Sequence, residues 1–343
     1  MLYWIGYSVT LAVGIVVGVA LLLGLPRYVR NPGWMSRWQN ITLLLLTTFI
    51  AYMAAEFYFR LFFAQTGGTR YTLATQIWFE RYWRLNSLGH RDIEWAAAEP
   101  QRKKKILVLG DSFAAGYGIK NIEDRFSNVL GARLGDGYLV MNIGRPQLST
   151  HSQIEWVQGF PYKPDLLILQ YYVNDIEDAA KAKGVVFAVD TLQPGPLFAP
   201  LVENSYAANF VYWRVVNLGP RNWARTYLPW LKAVYDDPDI WWIHQQELLT
   251  IYNGAQSEQV TLLVVAFPDL NDVAGSRVLT DKVLKIFDEL GVPTLNVADM
   301  ASGLPPQQLV VNPFDPHPNE WLHHQVGERL YEMIRQIEQE DGQ

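Results

Sequence analysis

Ile106-Leu107-Val108-Leu109-Gly110-Asp111-Ser112-Phe113 is the stretch on which the fold turns. Three lysines, Lys103 to Lys105, precede it, and the apolar run ends sharply at Gly110. A short apolar run bounded this way reads as a strand buried on both faces. Similar runs recur at Tyr138–Met141, Leu166–Leu169 and Thr261–Phe267, with a weaker fifth from Val292 to Val297. Between them the apolar residues fall at helical spacing. Glu123 to Leu134 places Phe126, Val129, Leu130 and Leu134 on one side. Ile240–Tyr252 and Ser276–Leu290 are also amphipathic, and a last helix is predicted over Glu320–Glu338. Strands alternating with helices predict an α/β domain with a parallel sheet covered on both faces. Ligands in such sheets sit beyond the carboxyl ends of the strands, where Ser112 falls.

Upstream, Leu2 to Leu25 is apolar and uncharged, long enough for a bilayer-spanning helix. It has neither the basic lead-in nor the small-residue cleavage site of a signal peptide. A second apolar run extends from about Ile41 to Phe63. It contains Glu56 and Arg60, one helical turn apart. They suit an ion pair near the interface, or an acid facing a membrane protein partner. Arg27, Arg30 and Arg37 crowd the short loop between the runs. They outweigh Arg70, Arg81 and Arg84, which are diluted by Glu80, and they place the loop in the cytoplasm. The expected arrangement is a two-pass protein of the cytoplasmic (inner) membrane with its C-terminal domain extracytoplasmic. Residues 1–65 form the anchor, 66–104 a connector and 105–343 the soluble domain. An insertion at about 181–235 is rich in proline and tryptophan. It reads as a wall or lid over the site, or as a structural excursion packed by aromatics.

Composition narrows the chemistry. Net charge is −6 and no basic stripe is present, which argues against nucleic acid as a partner. Cysteine is absent, so there is no thiolate nucleophile and no cysteine metal site. His323 and His324 are adjacent and diverge on a helix, and no His-Glu-x-x-His motif occurs. Gly110-Asp111-Ser112 lacks the lysine of a phosphate-binding loop. No cofactor and no metal are called for. A serine needs a base to become a nucleophile. Of six histidines, His317 lies in Asp315-Pro316-His317-Pro318-Asn319, just before the last predicted helix. An acid so close can fix the imidazole tautomer and stabilise its charged form. Asp111 also suits a helix cap.

Asn86-Ser87-Leu88-Gly89-His90-Arg91-Asp92 followed by Gly110-Asp111-Ser112-Phe113 resembles the SGNH (GDSL-type) hydrolase superfamily. The likeness covers residues 86 to about 335 and is weakest in the proline- and tryptophan-rich stretch. It implies a flavodoxin-like three-layer α/β/α fold and a serine that attacks an ester or transfers an acyl group. By that resemblance Ser112 is the nucleophile, His317 the base and Asp315 the acid. Asn174, in Tyr171-Tyr172-Val173-Asn174-Asp175, contributes to the oxyanion hole. Two departures stand out. Many members separate acid and histidine by two residues, whereas here only Pro316 intervenes. The family's oxyanion glycine falls five residues after the motif asparagine, and in Asn142-Ile143-Gly144-Arg145-Pro146-Gln147 that position is Gln147. Its backbone N–H can serve, though not comfortably if the turn requires positive φ; Gly144 is the alternative donor.

Three readings follow. The first is an ester hydrolase acting on an acyl ester outside the cytoplasm. The second is O-acyl transfer to a cell-envelope glycan or lipid. The third is a catalytically silent structural subunit of a membrane complex, since fold alone does not guarantee chemistry. The lipid bilayer is a partner in all three.

Overall fold

A computed structural model describes residues 2–24, 31–67, 72–95, 103–188, 193–217 and 223–341. The elements begin with α1 (Leu2–Gly24), α2 (Pro32–Leu61), α3 (Leu73–Tyr82), β1 (Lys104–Leu109), α4 (Ser112–Ala115) and α5 (Phe126–Leu134). Then come β2 (Tyr138–Asn142), α6 (Thr150–Gln158), β3 (Leu166–Tyr172), α7 (Glu177–Ala182), α8 (Ala199–Asn204) and α9 (Tyr206–Asn217). The rest are α10 (Trp223–Asp236), α11 (Pro238–Ser257), β4 (Thr261–Phe267), α12 (Val273–Glu289), β5 (Thr294–Asn296) and α13 (Val297–Ala301). A hairpin of β6 (Val310–Asn312) and β7 (Asp315–Pro318) leads into α14 (Glu320–Asp341). The chain divides into two compact units. One holds Met1–Gln65, Thr72–Ile77 and Leu192–Val216; the other holds Thr66–Tyr71, Trp78–Thr191 and Asn217–Gln343. The stretch read as an insertion at 181–235 is thus shared between them.

In the first unit, α1 and α2 are both long and apolar enough to cross a membrane. They pack through Gly14 and Gly18, one turn apart on α1. A Cβ at Gly14 would lie 2.2 Å from the Phe49 ring, and one at Gly18 2.7 Å from Leu46. Small residues at this spacing let two apolar helices approach closely. The Tyr7 hydroxyl adds a hydrogen bond to the Met53 carbonyl at 2.6 Å. Arg27 and Arg30 of the predicted cytoplasmic loop lie outside the described residues, as does Arg70; Arg37 is on α2. Glu56 and Arg60 pair at 3.6 Å, as their spacing suggests. Glu56 is nonetheless buried, because it also accepts hydrogen bonds from Ser205 and Ala207 of the same unit.

The second unit is built on a parallel five-stranded sheet in the order β2-β1-β3-β4-β5. This is the doubly wound, flavodoxin-like order, the three-layer α/β/α arrangement that the SGNH resemblance implies. The apolar runs form its strands because both faces are covered, and every residue of β3 is buried. Right-handed crossovers put α5 on one face and α6, α11 and α12 on the other. Two of the boundaries that differ from the sequence reading have a local cause. The helix predicted from Glu123 starts at Phe126, because Arg125 is extended and only a single 3-10 turn precedes it. The fifth strand shrinks to Thr294–Asn296, since Asn296 caps α13. The order reverses between β1 and β3, the point at which such sheets open a crevice at their carboxyl ends.

Candidate active site

Ser112 opens α4, directly after β1. Asp111 caps this short helix, its Oδ1 accepting the Phe113 N–H at 2.8 Å. Gln170 of β3 grips the turn from the neighbouring strand. Its Oε1 accepts the N–H of Asp111 at 3.1 Å and of Ala114 at 3.0 Å. Position 110 must be glycine for this to happen, since a Cβ there would lie 2.3 Å from the same oxygen. Gly-Asp-Ser is therefore a packing solution as well as a motif. Arg91, from the lead-in segment, is buried and donates to the carbonyls of Ala115 (2.9 Å), Gly116 (2.6 Å) and Ile119 (2.5 Å). Burial, with Arg125 beside it, pulls the Arg91 guanidinium down to about 9. Arg125 is in turn paired with buried Asp92 at 2.8 Å. These residues hold the backbone that follows the serine.

His317 arrives from β7, at the opposite end of the unit's sequence. Its Nε2 lies 2.8 Å from Ser112 Oγ, and its Nδ1 is hydrogen-bonded to Asp315 Oδ1. The departure in acid–histidine spacing is absorbed by the backbone: in a strand, residues two apart point to the same side. Asp315 is fully buried, and its Oδ1 also accepts the His317 N–H at 3.2 Å. Its second oxygen, Oδ2, accepts the hydroxyl of Thr66. Thr66 is itself buried, and its carbonyl accepts the Asn312 side chain at 3.0 Å. Thr66, Asp315, His317 and Ser112 thus form one continuous hydrogen-bonded chain. Thr66 and Gln170 are not among the residues that the sequence singles out. Gln170 reads simply as part of a strand, and Thr66 carries no local signal.

The remaining predicted residues surround the serine. The Leu148 N–H bonds to the Arg145 carbonyl at 3.3 Å, closing a turn with Pro146 second and Gln147 third. Gln147 has φ +68°, so the turn is of type II, whose third position favours glycine. A glutamine there is strained, at a cost of roughly 1–2 kcal/mol. The N–H of Gly144, the alternative donor, is hydrogen-bonded to Asn142 Oδ1 at 2.8 Å. What position 144 requires is absence of a side chain, since a Cβ would meet Ala114 at 2.6 Å. Asn174 follows β3 and has a buried Oδ1 with no hydrogen-bond partner.

Ser112, His317, Gln147 and Asn174 all line one cavity of about 820 Å³. Trp83, Arg145, Trp156, Phe187 and Tyr227 contribute to its walls. Phe187 and Tyr227 come from the two ends of the 181–235 stretch. Besides Asp315, two further buried carboxyls lie near the serine. Burial pushes Asp111 up to about 6, partly opposed by its bond to Phe113 and by His317. Asp175 is raised well above the carboxylate range by burial and by Asp111 beside it. His323, on α14, accepts the Phe126 N–H at 3.2 Å. Burial and the nearby arginines hold it neutral, down to about 3. His324 instead sits 3.2 Å from Asp124.

No family model matches the chain, and no curated protein matches it. Several solved structures are similar to it. TesA shares 14% identity, with 68% of this chain and 99% of that chain covered and a TM-score of 0.43. A carbohydrate acetylesterase family member from Sinorhizobium meliloti shares 16% identity over 68% of this chain and 98% of its own, at a TM-score of 0.40. A member of the lipolytic protein G-D-S-L family from Veillonella parvula DSM 2008 shares 13% over 66% and 96%, also at 0.40.

Proposed function

We propose that this chain is a membrane-anchored serine ester hydrolase or O-acyltransferase whose α/β unit lies outside the cytoplasm. The observation that carries the reading is the hydrogen-bonded chain from Thr66 through Asp315 and His317 to Ser112, ending at a cavity. His317 Nε2 takes the Ser112 proton as Oγ attacks an acyl carbonyl carbon. Asp315 accepts from Nδ1–H and stabilises the imidazolium. The oxyanion is met by the backbone N–H groups of Ser112 and Gln147 and by the Asn174 amide, each worth on the order of 100-fold or more in rate. His317 Nε2–H then protonates the departing alkoxide, leaving an acyl ester on Ser112. Water or a sugar hydroxyl, deprotonated by His317, attacks that ester and restores Ser112.

Aromatic walls with Arg145 among them suit an acyl ester carried on a cell-envelope glycan or lipid. The arginines at 27, 30 and 37 support placing the α/β unit across the membrane from them. The test is a fluorophosphonate probe on the detergent-solubilised full chain, beside Ser112→Ala and His317→Ala. Labelling that is lost in both variants is expected. Absence of labelling in folded protein overturns the reading in favour of a silent structural subunit. Retention of a labelled acyl group on a glycan, against its release as acid, separates transfer from hydrolysis.

A further inference from the structure

The first unit contains more than the two long helices. The α8–α9 segment is bound to the last three turns of α2. Glu56 Oε2 accepts the Ser205 hydroxyl at 2.8 Å and the Ala207 N–H at 2.9 Å. The Tyr52 hydroxyl donates to Ser205 Oγ at 2.7 Å. The Phe210 ring lies 4.1 Å from that of Phe59 and 5.1 Å from that of Phe63. Arg60 stacks over Tyr206 at 4.3 Å, and Arg214 over Phe210 at 4.1 Å.

This segment also exposes Leu197, Phe198, Leu201, Val211 and Val215. Leu197 is 83% exposed and Val215 62%. Val211 and Val215 are four residues apart on α9 and share a face. A water-facing segment has no use for such a surface. The polar groups at the start of α9 are, by contrast, partnered within the unit. The N-terminal turn of α9 is satisfied by Glu56 and by Ser205 Oγ, which accepts the Ala208 N–H at 3.1 Å. Asn209 donates to the Val202 carbonyl at 3.0 Å and accepts the Leu73 N–H at 3.2 Å. Internal satisfaction of helix ends is obligatory where lipid replaces water.

Depth along α2 agrees. Glu56 lies five residues before Leu61, the end of α2, which is about 7.5 Å of helix. In-plane amphipathic helices settle about 5–10 Å into the headgroup–acyl boundary. Leu44 and Leu45, further along α2 from that end, are exposed as well.

We propose that α8–α9 is an interfacial membrane element whose Leu197, Phe198, Leu201, Val211 and Val215 side chains rest against lipid acyl chains, with Glu56 fixing it to α2. This rests on the reading of α1 and α2 as membrane spans.

The chain has no cysteine, so single-cysteine variants can be made without background. The full chain is placed in phosphatidylcholine–phosphatidylglycerol vesicles with a nitroxide at F198C, V211C or V215C. L45C on α2 serves as the lipid reference and V278C, exposed on α12, as the water reference. All are surface positions, so the fold survives the change. Collision rates with oxygen and with a water-soluble nickel chelate are then compared. The expected result is an oxygen-to-nickel ratio several-fold above V278C and approaching L45C. Water-like values at 198, 211 and 215 with a lipid-like L45C overturn the proposal and leave the spans standing. A water-like L45C overturns the span reading and this inference together. Low collision with both reagents at 211 and 215 means that protein covers the face, which also overturns lipid as its occupant.

Discussion

Asp315 and Glu56 are both buried carboxylates, and each is held by one near partner and one distant one. Asp315 has His317 two residues on and Thr66 249 positions away in sequence. Glu56 has Arg60 four residues on and Ser205 149 positions away. The two differ in what the near partner does next. His317 passes the contact to Ser112 at a cavity. Arg60 ends over the Tyr206 ring, and the rest of the Glu56 carboxylate is used to cap a helix. A buried acid is thus a poor indicator of chemistry by itself. The destination of its hydrogen bonds separates a relay from a fastening.

The largest effect that would break this contrast is on reactivity. Asp315→Asn should slow fluorophosphonate labelling by about 10⁴-fold, because an amide no longer selects the productive tautomer. Glu56→Gln should leave the labelling rate unchanged, since a side-chain carbonyl still accepts from Ser205 and Ala207. Equal loss in both would mean that the distinction is false.

Asp111 sharpens the comparison as a third buried acid, one held by backbone and side-chain dipoles. Its folded-state pKa is raised from 3.8 to about 6. For a raised carboxyl, the stabilising contribution is full below the unfolded value and is lost as pH rises through the folded value. The window is therefore about pH 4 to 6. Over it the wild type should lose stability relative to Asp111→Asn, by on the order of 1.4 kcal/mol for each pH unit separating the two values. Asparagine can still accept the Phe113 N–H, so the cap persists. Unfolding midpoints of the two proteins measured across that window check the claim, and parallel curves would refute it.

Thr66 tests the distant arm of the Asp315 relay. Thr66→Ala leaves Asp315 Oδ2 buried without a donor, and labelling should slow about 10-fold or more, from the low end of the roughly 1.5–3 kcal/mol of a hydrogen bond to a charged group. Thr66→Ser should recover most of the rate. The informative readout is the rescue: serine restores the hydroxyl donor to Asp315 without the methyl group, so recovery assigns the loss to the hydrogen bond and failure to recover assigns it to packing.

How legible these arms are depends on distance in sequence. The sheet can be read because β1, β3 and β4 are buried on both faces and so appear as unbroken apolar runs. Ser112 and His317 can be read because each sits in a short motif, and Asp315 because a strand brings residue i+2 back to the same side. Thr66 cannot be read, since its partner is set by tertiary packing and threonine after an apolar run is ordinary. α8 and α9 are hidden for a local reason. Pro194, Pro196 and Pro200 signal breaks around α8, and α9 carries apolar residues on its exposed side as well, so no single apolar stripe marks it in the sequence. α6 escapes the sequence reading because Thr150–Gln158 is largely polar.

Gln147 is the case in which sequence and structure meet most closely, and it supplies the smallest expected effect. The position reads as one where family members carry glycine, and its φ of +68° gives the reason. Gln147→Gly should relieve roughly 1–2 kcal/mol of left-handed strain while giving back about 0.4–1 kcal/mol through the freer unfolded chain. The net gain is then about 0.5–1 kcal/mol, visible as a small rise in unfolding temperature. In the proposed mechanism the donor at this position is the backbone N–H, which glycine keeps, so labelling should persist. A variant that gains stability but loses labelling would show that the glutamine side chain, and not only its backbone, belongs to the site.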